Sequence, residues 1–77
     1  MEDKPLAEEI GALVRHLRVA AGMSQEEFAD RCGVHRTYIG SIERGEKAIT
    51  VETANKIVRA LGISLSLFFR RLEGQRN

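Results

Sequence analysis

Residues 25–42 of the 77-residue chain, QEEFADRCGVHRTYIGSI, decide its fold. An eight-residue helical run leads to Cys32-Gly33, and a second run follows with Ile39 and Ile42 three apart on one face. Between them Gly33 supplies the positive φ that a tight turn needs, and apolar Val34 is placed to plug the angle between the helices. Ala29 is small enough to let the two helices cross closely. The pattern is a helix, a glycine turn and a second helix sharing one apolar interior. Upstream, Ser24-Gln25-Glu26-Glu27 is a capping box, in which the serine oxygen accepts the N–H of Glu27 and the glutamate accepts the N–H of Ser24. Met23 stands where a hydrophobic staple would pack against Phe28.

Glycines punctuate the rest of the chain. Gly22, Gly33, Gly45, Gly62 and Gly74 each follow a stretch with helical periodicity, where a left-handed residue commonly ends a helix. The first helix is expected over about 5–21, with Leu6, Ile10, Leu13, Leu17 and Ala21 on one stripe and Pro5 in the first turn. The second starts after Ser24, and the third covers about 35–44. A Thr50 cap opens a fourth, with Val51, Ala54, Ile57, Val58 and Leu61 facing inward, and Ser64 caps a fifth over about 65–73. No stretch alternates with period two over a useful length, so five short helices and no sheet are expected. The chain is predicted to be all-α.

A chain this short buries roughly 60% of the surface its unfolded form exposes, so its core is modest. Hydrophobic residues at 43% and charged residues at 30% fit one globular domain and are too apolar for a disordered segment. The most apolar stretch, 60–69, carries two serines and is half as long as a membrane span of about 20 residues. The acidic start, Met-Glu-Asp-Lys-Pro, has no apolar segment behind it and does not read as a secretory signal. A cytoplasmic location without membrane association is expected. Cys32 is the single cysteine, cannot form an internal disulfide, and reads as a small half-buried side chain. Two histidines and one cysteine without C-x-x-C or H-x-x-x-H spacing do not furnish the four ligands of zinc, so no metal or other cofactor is expected. No catalytic residue is assigned, because no nucleophile with a base and no G-x-x-x-x-G-K loop is present. The net charge of +1 conceals a division: residues 1–30 sum to −4 and residues 31–77 to +5. The basic part suits a polyanion.

On these residues the chain resembles the phage repressor and Cro type of helix-turn-helix domain, also called the xenobiotic-response-element type. The resemblance runs from about residue 10 to 69 and rests on LRVAAGMSQEEFADRCGV, HRTYIGSIERG and ALGISLSLFF. The middle string is also similar to the controller proteins of restriction–modification systems. The resemblance implies one compact five-helix, lambda-repressor-like DNA-binding domain over 1–77, with the helix-turn-helix at about 24–44 and a dimerisation helix at about 64–73. It implies a sequence-specific transcription regulator, not an enzyme, that binds a palindromic operator in double-stranded DNA as a homodimer. RNA polymerase is a further candidate partner. The alternative is an antitoxin-type module that binds a toxin and also regulates its own synthesis. That reading calls for a spare toxin-binding segment, and only Gly-Gln-Arg-Asn follows Glu73.

The resemblance also assigns roles residue by residue. Arg36, Thr37 and Ser41 on the third helix would face base edges in the major groove, Arg36 by offering its guanidinium fork to a guanine. Gln25, Tyr38, Arg44, Lys47 and Thr50 would contact phosphates, while Glu46 departs from what a phosphate-facing loop wants. His35 either faces the backbone as well or is an exposed capping residue. Arg18 and Glu43 would pair with each other, tying the first helix to the third. Gly11 and Gly40 lie inside helices, at about 1 kcal/mol each relative to alanine. Gly40 marks a close approach of DNA or of another helix, or is an indifferent exposed position. Leu65, Leu67, Phe68, Phe69 and Leu72 would form the dimer interface, the fold having room for one of the two phenylalanines, with Arg70, Arg71 and Arg76 around it.

Overall fold

The computed structural model describes residues 5–75. Five helices follow in order: α1 Leu6–Ala20, α2 Gln25–Cys32, α3 Arg36–Glu43, α4 Val51–Leu61 and α5 Leu65–Gly74. No strand occurs among the described residues, and no helix there is long and apolar enough to cross a membrane. Arg76 lies outside the described residues.

Local chemistry sets the boundaries. Ser24 Oγ accepts the Glu27 N–H and the Glu27 carboxylate accepts the Ser24 N–H, both at 3.0 Å, which closes the capping box of α2. The Ser24 N–H, and to a lesser degree the Ser24 hydroxyl, hold the Glu27 carboxyl below the usual carboxylate range. Thr50 and Ser64 cap α4 and α5, each hydroxyl oxygen accepting the N–H three residues on at 3.0 Å. Gly33, with φ 74°, turns the chain from α2 into α3. Gly22, Gly45 and Gly62 take the same left-handed conformation, whereas Gly74 is the last residue of α5 and that helix ends in a right-handed turn at Gln75.

Every helix feeds one core. Val14 of α1, Phe28 of α2, Ile39 and Ile42 of α3, Ile57 and Val58 of α4, and Phe68 of α5 are fully buried. Met23 joins the same cluster, as the staple position requires, and Val34 packs against it from the turn. Three inward assignments fail. Leu6 is 51% and Val51 79% exposed, because each begins its helix before the chain has reached the core. Ala21 is likewise exposed, beyond the end of α1.

The close helix approach falls at Gly11 and not at Gly40. A Cβ on Gly11 would collide with the carbonyl oxygens of Ile42 and Glu43, so α1 lies directly on the C-terminal end of α3. Gly40 is buried, which removes the exposed reading, but its neighbours are the ends of the Arg44 and Gln25 side chains. Two residues before Gly11 on the same helix, the Glu9 carbonyl accepts the Gln75 amide at 2.9 Å, which fastens α5 to α1.

Candidate nucleic-acid interface

α3 presents its first turn to solvent. His35 is the N-cap, its Nδ1 accepting the Thr37 N–H at 3.1 Å, while its ring remains exposed. No acidic residue occupies the first turn, which leaves the positive end of the helix uncompensated. Arg36 and Thr37 are exposed there. Arg36 meets Glu26 at a single 3.5 Å contact with both side chains about 70% exposed, a pairing too loose to hold the guanidinium away from a ligand. Ser41 is only 8% exposed, less open than Arg36 and Thr37 on the same helix.

Beneath this surface lies a charged frame. Arg18 Nε and Nη2 donate to the two Glu43 oxygens at 2.7 and 3.0 Å, and Nη1 donates to the Met23 carbonyl at 2.8 Å. Both side chains are nearly sequestered, at 10% and 3% exposure. The hydrogen bond to Glu43 raises the Arg18 pKa further above its ordinary value, against the opposing effect of burial. Glu43 has a second partner that its sequence position does not announce. The Gln25 Nε2 donates to Glu43 Oε1 at 3.0 Å, so the carboxylate that fixes α1 to α3 also orients the first side chain of α2.

The rim is mixed. Gln25, Arg44, Lys47 and Thr50 are exposed, and Tyr38 is half-buried against the core. The Thr50 hydroxyl is engaged in capping α4 and in a 3.0 Å bond to Thr53 Oγ1, so its expected role toward phosphate competes with a cap. Arg44 pairs with Glu46 through two bonds, at 3.0 and 3.1 Å, a pairing that the sequence reading did not include. Cys32 is buried and desolvation pushes its thiol up to about 11, so it offers no nucleophile to the surface.

On α5, Phe68 is fully buried and Leu72 is 5% exposed; both belong to the protomer core and drop out of the expected dimer face. Phe69 is 42% exposed and stands edge-on to Phe68, with ring centroids 5.3 Å apart. Leu65 and Leu67 are half-buried. The two phenylalanines thus divide as the core volume predicts, one inward and one outward.

Residues 14–68, which span α2 and α3 with their supports on both sides, match the helix-turn-helix family. The chain belongs to that family. The helix-turn-helix protein is 44% identical over 54 residues to the control protein C.BamHI of Bacillus amyloliquefaciens, covering 69% of this chain and 67% of the relative. It is 41% identical over 64 residues to C.SmaI of Serratia marcescens, covering 83% and 75%. Among solved structures it superimposes on the clp gene regulator ClgR of Corynebacterium glutamicum with a TM-score of 0.91 at 28% identity, covering 97% of this chain and 80% of that one. It also superimposes on the restriction–modification controller protein C.Esp1396I, solved as a tetramer with its natural 35 base-pair operator, at a TM-score of 0.87 and 29% identity over 95% and 96% of the two chains. The relatives of this helix-turn-helix protein are transcription regulators and restriction–modification controllers.

Proposed function

We propose that this chain is a sequence-specific transcription regulator of the restriction–modification controller kind, acting in the cytoplasm as a homodimer on a palindromic operator. The observation that carries it is the outward face of α3: Arg36 and Thr37 stand exposed at a helix N-terminus with no acidic residue in its first turn, on a helix whose far end is tied to α1 by the buried Arg18–Glu43 pair. A recognition helix set in this way places its N-terminal side chains against base edges in the major groove. Arg36 offers a fork to the O6 and N7 of guanine, and Thr37 offers a methyl to thymine. Gln25, His35, Tyr38, Arg44 and Lys47 take the phosphates on either side, with Thr50 a secondary contributor.

A single module buries too little DNA for a typical specific affinity, so two copies are needed. Phe69, with Leu65 and Leu67 beside it, supplies the apolar surface for a second copy. RNA polymerase becomes a partner where the operator lies next to a promoter. Sedimentation of the protein alone, and selection from a pool of randomised 30 base-pair duplexes, test this function together. A dimer that enriches a two-fold palindrome, with affinity falling steeply as salt rises, is expected. A monomer that enriches nothing would refute it.

A further inference from the structure

Arg44 is not free to sweep through solvent. Its Nε and Nη2 donate to Glu46 Oε2 and Oε1 at 3.0 and 3.1 Å, so one edge of the guanidinium is fixed by two parallel bonds. Each group strengthens the charge of the other, the guanidinium pKa rising and the Glu46 carboxyl pKa falling through the shared hydrogen bonds. The opposite corner, Nη1, lies 3.1 Å from the point where a Cβ on Gly40 would stand. Arg36, Gly40 and Arg44 follow at intervals of four and so occupy one stripe along α3. The missing side chain at Gly40 is a gap in that stripe, and the folded-back guanidinium fills it. Arg36, in contrast, has only its 3.5 Å contact to Glu26.

We propose that Glu46 is a specificity-determining positioning residue, which holds Arg44 over Gly40 in line with Arg36 so that Arg44 meets DNA from one fixed place. This rests on the DNA-binding function proposed above. A guanidinium carries five N–H donors. Glu46 takes two and leaves three, among them both donors of Nη1 beside Gly40. The carboxylate also offsets the positive charge, which weakens the sequence-independent attraction to phosphates while the directional donors remain. Charge without direction binds any duplex; direction with little charge favours the duplex that matches it.

Two probes serve the test: the duplex that the wild-type protein enriches from the randomised pool, and a shuffled duplex of the same composition. Binding is measured against salt for wild type, Glu46→Gln, Arg44→Ala and the double variant. Glu46→Gln should bind the shuffled duplex several-fold tighter, with a salt slope steeper by about one. Its preference for the enriched over the shuffled duplex should fall several-fold, because the Arg44 phosphate contact no longer fixes the register of α3 on the duplex. Both changes should vanish in the Arg44→Ala background. Gly40→Ala, whose Cβ displaces Nη1, should lower the same preference although alanine is the better helix former. If Glu46→Gln tightens both duplexes by one factor, or acts alike with and without Arg44, the carboxylate is only a repelling charge and the proposal is overturned. A wild-type protein that enriches no sequence would overturn the DNA-binding function itself, and this proposal with it.

Discussion

Arg18 and Arg44 show how one residue type is put to two uses. Arg18 has all its contacts inside the protein, to Glu43 and the Met23 carbonyl, and the site keeps it almost wholly from water. Its removal leaves the Glu43 carboxylate buried with Gln25 as its remaining hydrogen-bond partner among the described residues, a loss of about 3 kcal/mol. Arg18→Ala is therefore expected to lower the melting temperature by 10 °C or more, on the order of 4–8 °C per kcal/mol. Arg44→Ala, on an exposed pair, should leave it within a few degrees. Equal melting temperatures in a thermal scan would show that the pair does not brace α1 against α3. Cys32 gives a second expectation at this scale. A buried thiol with its pKa pushed up to about 11 has little thiolate near neutral pH. Alkylation by iodoacetamide at pH 8 should be negligible in the folded protein and rapid in urea, as mass spectrometry would report.

At the scale of helices, caps and crossings decide what forms. Ser24→Ala deletes one half of the capping box, and a loss of about 1 kcal/mol is expected in urea denaturation. The Glu27 carboxyl pKa is lowered in the folded protein, so its contribution is complete above the ordinary glutamate value near 4.3 and is lost as pH falls through the lower folded value. An NMR titration should find the Glu27 midpoint below that ordinary value in wild type and moved back toward it in Ser24→Ala. The crossing of α1 on α3 depends on Gly11. Gly11→Ala gains helix propensity of about 1 kcal/mol but drives a Cβ into two backbone carbonyls. Net destabilisation of about 1–3 kcal/mol is expected, with α1 forced off α3. A variant as stable as wild type would mean that the two helices have room to separate.

For the whole molecule the two phenylalanines of α5 separate folding from assembly. Phe68→Ala empties the centre of the core and should cost about 3–5 kcal/mol, a large share of what so small a domain has. Phe69→Ser should leave the protomer folded and shift sedimentation toward the monomer, with DNA affinity falling as a consequence. The described residues extend 38 × 23 × 23 Å. Half-sites on successive turns of DNA stand roughly 34 Å apart, a distance comparable with the long dimension of one such body.

What the sequence determined by itself was local or periodic. The capping box at Ser24, the left-handed turn at Gly33 and the inward faces of α3 and of most of α4 depend on neighbours a few residues away, and the residues that meet those needs are few. The Arg18–Glu43 pair was legible only because the motif as a whole resembles a family in which those positions meet. Contacts decided by tertiary structure left no such mark. Gly11 and Gly40 look alike in the chain, and only the path of α1 makes the first a backbone crossing and the second a seat for side chains. Leu6 and Val51 carry the right residue type for a core, yet each begins a helix at the surface. Phe68 and Phe69 are adjacent and chemically identical; the rotation of α5 against α1 and α4 buried one and exposed the other. The fork between Arg44 and Glu46 arises because the chain bends back at Gly45, a direction set by how α3 rests on α1.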